Sequence, residues 1–178
     1  MCEFCDIIQG KAEAELLYED EKIMAVLHLK PAFPGQILFF TKAHHPIVEQ
    51  VPDQTLAHLF KIANKFSTLL FETLNIQGTN LIVQNGTAAG QSIPHFSANL
   101  VPRSEKDGLN FQWEPQKISK EEMDTAQLQL KAFTENIHPS MFEKENRPIE
   151  LKLEEKPLKL TGSKENYLIK QLTRVPKV

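Results

Sequence analysis

Cys2 and Cys5 stand three positions apart, a spacing that lets two thiolates meet one metal ion from a tight turn. The same spacing also suits a redox pair, or arises by chance. A thioredoxin-type pair opens a helix that follows a strand, and here only Met1 precedes Cys2. A closed tetrahedral zinc site needs two further ligands, for which His44 or His45 and His95 are candidates by ligand number alone. A histidine pair just before Pro46 reads equally as a solvated turn.

The segment from Pro94 to Val101 alternates. If it is extended, Phe96, Ala98 and Leu100 point to one face and His95, Ser97 and Asn99 to the other. One face suits a core and the other suits polar chemistry. The loop before it runs from Asn85 to Ser92, small and glycine-containing. Such a loop can turn backbone N–H groups and the Ser92 hydroxyl toward an anion, and it serves as well for a plain strand connection. His58, between Leu56 and Leu59, reads as a solvated helix-face residue, and His138 before Pro139 as a helix-end marker. Trp113 either covers the site of a neighbouring subunit or simply packs.

These groups need a frame. Leu16 to Tyr18, Ile23 to Leu29 and Ile37 to Thr41 read as strands, joined by the charged run Glu19 to Lys22 and the proline-rich turn Pro31 to Gly35. From Asp53 the period changes to three- and four-residue steps. Leu56, Leu59, Phe60, Ala63, Phe66, Leu70 and Leu74 make the stripe of an amphipathic helix, with Asp53 as N-cap and Gly78 just past its end. Thr79 to Gln84 and Pro94 to Val101 supply further strands. The pattern predicts an α+β domain over residues 1–115, with about five strands and one long helix. Residues 116–178 form an appendage. Ser119-Lys120-Glu121-Glu122 is a capping box opening a helix to about residue 136, with Met123, Ala126, Leu130 and Phe133 on one face. An extended arm follows, then a short helix over about 163–174 that docks through Tyr167, Leu168 and Leu172.

Composition excludes several classes. The chain has 178 residues, 41% hydrophobic and 24% charged, which fits one domain with an appendage. Its net charge of −3 and pI of about 6.1 leave no global basic field to recruit nucleic acid or anionic membrane. A phosphate ligand must then be held by local donors. No apolar run approaches the roughly 20 residues of a membrane span, and the start resembles no signal peptide, so the expected location is cytoplasmic. Two cysteines make no disulfide framework.

The run from Gly90 to Arg103, GQSIPHFSANLVPR, resembles the signature of the histidine triad (HIT) family of nucleotide hydrolases and transferases. The likeness extends through Cys2 to Ile8, Tyr18 to Glu21, Pro31, Thr41 to His44 and Gly78 to Asn80. It implies a HIT-like fold, an antiparallel sheet of about five strands with one long helix, here with a C-terminal helical extension. It implies, too, a structural zinc held by Cys2, Cys5, His44 and His95, tying the N-terminus to the polar strand. The family's middle triad histidine attacks the α-phosphate and carries the nucleotide covalently; the matching position is Ser97, and the third triad position is Asn99. The family aspartate that holds the ribose hydroxyls falls at His28. Asn85, Gln91 and Ser92 match phosphate-side positions, and Phe4, Ile7 and Leu29 match the base pocket. The resemblance thus implies a binder of a purine nucleotide or dinucleoside polyphosphate, catalytically impaired, and a homodimer paired through the long helix and an adjoining strand. The competing readings are an enzyme that uses another residue such as His28, and a protein-interaction scaffold.

Overall fold

The computed structural model describes residues 2–134 and residue 137; the arm and the helix expected over 163–174 lie outside the described residues. The described residues to Leu109 form one compact unit, and the described residues from Asn110 belong to a second.

The first unit is built on an antiparallel sheet of β1 (Leu16–Glu19), β2 (Ile23–Leu27), β3 (Ile37–Thr41), β4 (Gly78–Val83) and β5 (Ser97–Arg103), ordered β1-β2-β3-β5-β4. Two helices join it, α1 (Glu3–Ile8) and α2 (Asp53–Leu74). β2 and β3 read as unbroken apolar runs because both of their faces are covered. On one face Ala25, Phe39, Ala98 and Leu100 pack against Leu59, Ala63 and Leu70 of α2. On the other, Met24, Val26, Leu38 and Phe40 pack under Phe4 of α1, whose ring stacks on Phe40 at 4.7 Å between centroids. β5 keeps the alternation read from the sequence: Ala98 and Leu100 are buried in the α2 core, while Ser97 and Asn99 are half-buried on the α1 side.

Boundaries differ from the sequence reading in physically instructive ways. β2 ends at Leu27; the His28 N–H still donates to the Gln36 carbonyl, after which Leu29 and Lys30 leave the sheet in an exposed turn. The α2 cap position is Pro52, and Asp53 is instead the first helical residue, where its carboxylate faces the positive end of the helix dipole. The helix closes at Asn75, in the left-handed region with φ 52°, and Gly78 already belongs to β4. Asparagine tolerates that conformation better than other non-glycine residues. The short α1 has too few residues to show a period.

β1 is an edge strand of four residues with a bulge between Leu16 and Tyr18. β4, the opposite edge, pairs with β5 in unbroken register over six residues.

The second unit contains α3 (Lys120–Thr134). Its capping box is reciprocal: the Glu122 N–H donates to Ser119 Oγ at 3.2 Å and the Ser119 N–H to a Glu122 carboxylate oxygen at 2.8 Å. Met123, Leu130 and Phe133 of this helix are exposed. No helix among the described residues is long and apolar enough to cross a membrane.

Candidate functional site

Two polar constructions share the α1 side of the sheet. The first is a corner where three chain segments converge. Cys2 caps α1 and Cys5 lies within it, His44 follows the end of β3, and His95 immediately precedes β5. Their ligand atoms all lie within 4.8 Å of one another. Cys2 Sγ stands 3.4 Å from His95 Nδ1, Cys5 Sγ 3.3 Å from His44 Nδ1, and Cys5 Sγ 3.7 Å from His95 Nδ1. A tetrahedron with bonds of about 2.3 Å to sulfur and about 2.0 Å to nitrogen has sulfur–nitrogen edges of roughly 3.5 Å. The donor set and its spacing therefore fit a tetrahedral metal ion.

His95 is prepared for this role from behind. It is fully buried, and its Nε2 lies 2.7 Å from the Thr41 carbonyl oxygen, so Nε2–H donates there and the Nδ1 lone pair faces the sulfurs. Such a contact fixes both tautomer and ring orientation in metal sites. Burial pulls the His95 pKa down, outweighing the opposing pull of the Thr41 carbonyl. The ring stays neutral, as a ligand must. Burial also raises the Cys5 thiol, with the neighbouring Cys2 adding to it. Of the paired histidines, His44 joins the cluster, whereas His45 uses its carbonyl to accept the Phe96 N–H at 2.6 Å.

The second construction is a cavity of about 340 Å³ beside the corner. Sheet register lays out its floor: Val26, Leu38 and Asn99 form one row across β2, β3 and β5, and Ser97 stands two residues before Asn99 on the same face. Phe4 and Ile7 of α1 wall one side, Gln91, Ser92 and Ile93 another, and His28, Leu29 and Lys30 enter from the end of β2.

The polar groups of this cavity differ in what they already do. Asn99 Oδ1 accepts a hydrogen bond from the buried Gln36 side chain at 2.9 Å, while Gln36 Oε1 accepts from the Ala32 N–H at 2.8 Å. That chain orients the Asn99 amide with its N–H₂ end uncommitted. The Ser97 hydroxyl makes no hydrogen bond among the described residues. Gln91 is committed: its oxygen accepts from the Gly86 N–H, and its nitrogen donates to the Pro46 and Ile93 carbonyls. It shapes the loop, aided by left-handed Gly90 (φ 85°), where a Cβ would lie 2.7 Å from the Gln84 amide nitrogen. Ser92 is exposed at the rim. Asn85 stands apart from the lining; it accepts from the Val48 N–H and donates to the Glu49 carboxylate.

Of the residues singled out from sequence, the four cysteine and histidine ligands meet at the corner. Phe4, Ile7, His28, Leu29, Gln91, Ser92, Ser97 and Asn99 meet at the cavity. Sequence reasoning missed Gln36, Thr41 and Lys30. The only signal for Gln36 was a polar residue heading an apolar strand, and Lys30 gave none. His58 is not a solvated face residue: its ring Nε2 lies 2.6 Å from Asp20, which also accepts from the Tyr18 hydroxyl and from the N–H groups of Lys22 and Ile23. Burial alone would raise the Asp20 carboxyl, but these donors hold it down at about 2. Burial, reinforced by Asp20, pushes Tyr18 up to about 12. The cluster pins α2 to the β1–β2 turn.

A five-stranded antiparallel sheet flanked by one long helix, carrying a metal corner and a cavity fed by one polar strand, is the architecture of the HIT class. Residues 9–106 match the HIT domain, over half of the sequence, and the chain belongs to the HIT family. A HIT-like protein of Methanocaldococcus jannaschii is 36% identical over 108 residues, covering 61% of this chain and 83% of the relative. An adenylylsulfatase of Arabidopsis thaliana is 34% identical over 108 residues, covering 61% of this chain and 55% of that protein. A zinc-bound histidine triad family protein of Mycobacterium smegmatis superposes with a TM-score of 0.59 at 30% identity, over 74% of this chain and 96% of the other.

Proposed function

We propose that the chain binds a purine nucleotide or dinucleoside polyphosphate in this cavity and does not turn it over by the family's covalent route. The observation that carries this reading is the Ser97 hydroxyl, which lines the cavity with no base in hydrogen-bond contact. A serine hydroxyl is protonated at neutral pH and needs an adjacent base to act as a nucleophile. His95, its nearest histidine in sequence, has one nitrogen on the Thr41 carbonyl and the other toward the cysteine sulfurs. Ser97 and the free amide end of Asn99 are instead suited to donate hydrogen bonds to a phosphate, with Ser92 at the rim. Phe4, Ile7 and Leu29 offer apolar surface to a base. The adenylylsulfatase relative supports an adenine nucleotide as the first ligand to try.

Zinc is the metal we propose for Cys2, Cys5, His44 and His95, a choice supported by their two-sulfur, two-imidazole donor set and by the zinc-bound relative. Its role is structural, tying α1 to the start of β5, and no reaction step passes through it. Pairing of two copies through α2 and β4, in the cytoplasm, completes the reading; exposed Phe60, Leu69 and Leu81 on those elements are its support.

The test is phosphate-bond cleavage on diadenosine polyphosphates and an adenosine phosphoramidate by the purified chain beside Ser97→His, with nucleotide affinity measured on both. Binding without turnover by the parent chain, and turnover gained by Ser97→His, is the expected result. Turnover by the parent overturns the proposal and makes His28→Ala the next variant. Absence of affinity for every adenine and guanine nucleotide overturns it outright.

A further inference from the structure

The cavity has two donor ends. One is Ser97 and Asn99 on β5. The other is His28 and Lys30, where the chain leaves β2. β3 runs between them, two strand spacings or about 10 Å across, and His28 lies two residues beyond Val26, the position across from Asn99, so roughly 12 Å separates the backbones of Asn99 and His28. The floor between is apolar, Val26 and Leu38. A ligand that meets both ends must carry hydrogen-bond acceptors on two sides of a less polar middle.

The chemistry of the second end is specific. The Lys30 N–H donates to His28 Nδ1 at 3.1 Å. That bond uses Nδ1 as an acceptor, so the ring proton sits on Nε2 as a donor. The Lys30 ammonium has no carboxylate partner among the described residues. The only carboxylate on the cavity lining, Glu3, comes from α1. An unmodified ribose presents hydroxyls that donate, and a carboxylate serves them well. A phosphate monoester presents acceptor oxygens and a charge of about −1.5 to −2, and an imidazole N–H with an ammonium serves it better.

We propose that the cavity takes a nucleotide phosphorylated twice across its ribose, a nucleoside 3′,5′- or 2′,5′-bisphosphate. The 5′-phosphate lies on Ser97 and Asn99, and the second phosphate lies on His28 and Lys30. This rests on the reading of the cavity as a nucleotide site.

The experiment is equilibrium binding by calorimetry of adenosine 5′-monophosphate, adenosine 5′-triphosphate and the two adenosine bisphosphates. The chain is compared with Lys30→Ala and His28→Asp. At least one bisphosphate is expected to bind about tenfold or more tighter than the monophosphate, as a charge-assisted contact contributes. That advantage shrinks to within about twofold in either variant, and an unchanged urea-unfolding midpoint shows that each variant folds. Bisphosphates no tighter than the monophosphate, or an advantage that survives both substitutions, overturns this inference and leaves the nucleotide reading standing. A triphosphate that gains as much as the bisphosphates overturns the placement on the ribose, since any added phosphate would then suffice. No binding of any of the four overturns the nucleotide reading and this one with it.

Discussion

The metal corner and the cavity draw on the same polar side of one strand, yet they treat it in opposite ways. His95 is buried, neutral, and engaged at both ring nitrogens. Two residues on, the Ser97 hydroxyl, and two further on the Asn99 amide nitrogen, make no hydrogen bond among the described residues. One strand thus carries structure at its start and recognition along its middle. The period of two residues makes this division available: His95, Ser97 and Asn99 share a face, and their neighbours decide what each is for. Where cysteines and a backbone carbonyl surround the side chain, it belongs to the fold. Where apolar floor surrounds it, it is available to a ligand.

The sharpest way to break this comparison is to remove the metal. Chelation should lower stability by about 4 kcal/mol if zinc had been held at a thousandfold over its dissociation constant, seen as a fall in Tm of about 10 °C or more. A purified chain without stoichiometric zinc, or one indifferent to chelation, would remove the corner from the account. Next in size is Phe4→Ala. Phe4 stacks on Phe40, meets the His95 ring edge at 5.6 Å and lines the cavity, so it serves both regions. Its loss should cost about 3 kcal/mol in denaturant unfolding and weaken nucleotide binding together. An effect on only one of the two would show the regions to be more separate than they look.

Gln36→Ala sharpens the contrast from the cavity side. It leaves the Ala32 N–H and Asn99 without a partner, at about 1–2 kcal/mol of stability. Nucleotide affinity should fall several-fold while zinc content stays constant; a loss of zinc would contradict the division. The smallest effect lies outside both regions. Asp20, held at about 2 in the folded chain against an ordinary value near 4, contributes stability that is present above pH about 4. It is lost as pH falls toward 2. After discounting for its partial exposure this amounts to about 1 kcal/mol. The stability difference between the chain and Asp20→Asn should therefore vanish in acid while persisting at neutral pH, measured by urea unfolding across that range.

Much of this was legible in the residues. The Leu56 to Leu74 stripe gave α2, the alternation from Phe96 to Leu100 gave the two faces of β5, and the order of motifs gave the family. What stayed hidden depends on partners distant in sequence. Gln36 matters because Asn99 lies across from it, 63 positions away. His58 meets Asp20 from 38 positions away, and its position on the helix carried no sign of that. The caps at Pro52 and Asn75 were missed because Asp53 and Gly78 are the commoner choices, and tertiary context overrode both. Lys30 stands just before the proline-rich turn Pro31 to Gly35, whose composition does not distinguish a solvated side chain from one that lines a cavity.

The bulge in β1 has a consequence for assembly. An edge strand only four residues long and broken in register is a poor template for another strand, whereas six-residue β4 presents regular pairing. Any extension of this sheet by a second copy is therefore confined to the β4 side. A surface that pairs with its own copy and leaves no second adhesive edge closes on a two-fold axis and stops, so a second copy added at β4 would give a finite pair and not a growing fibre.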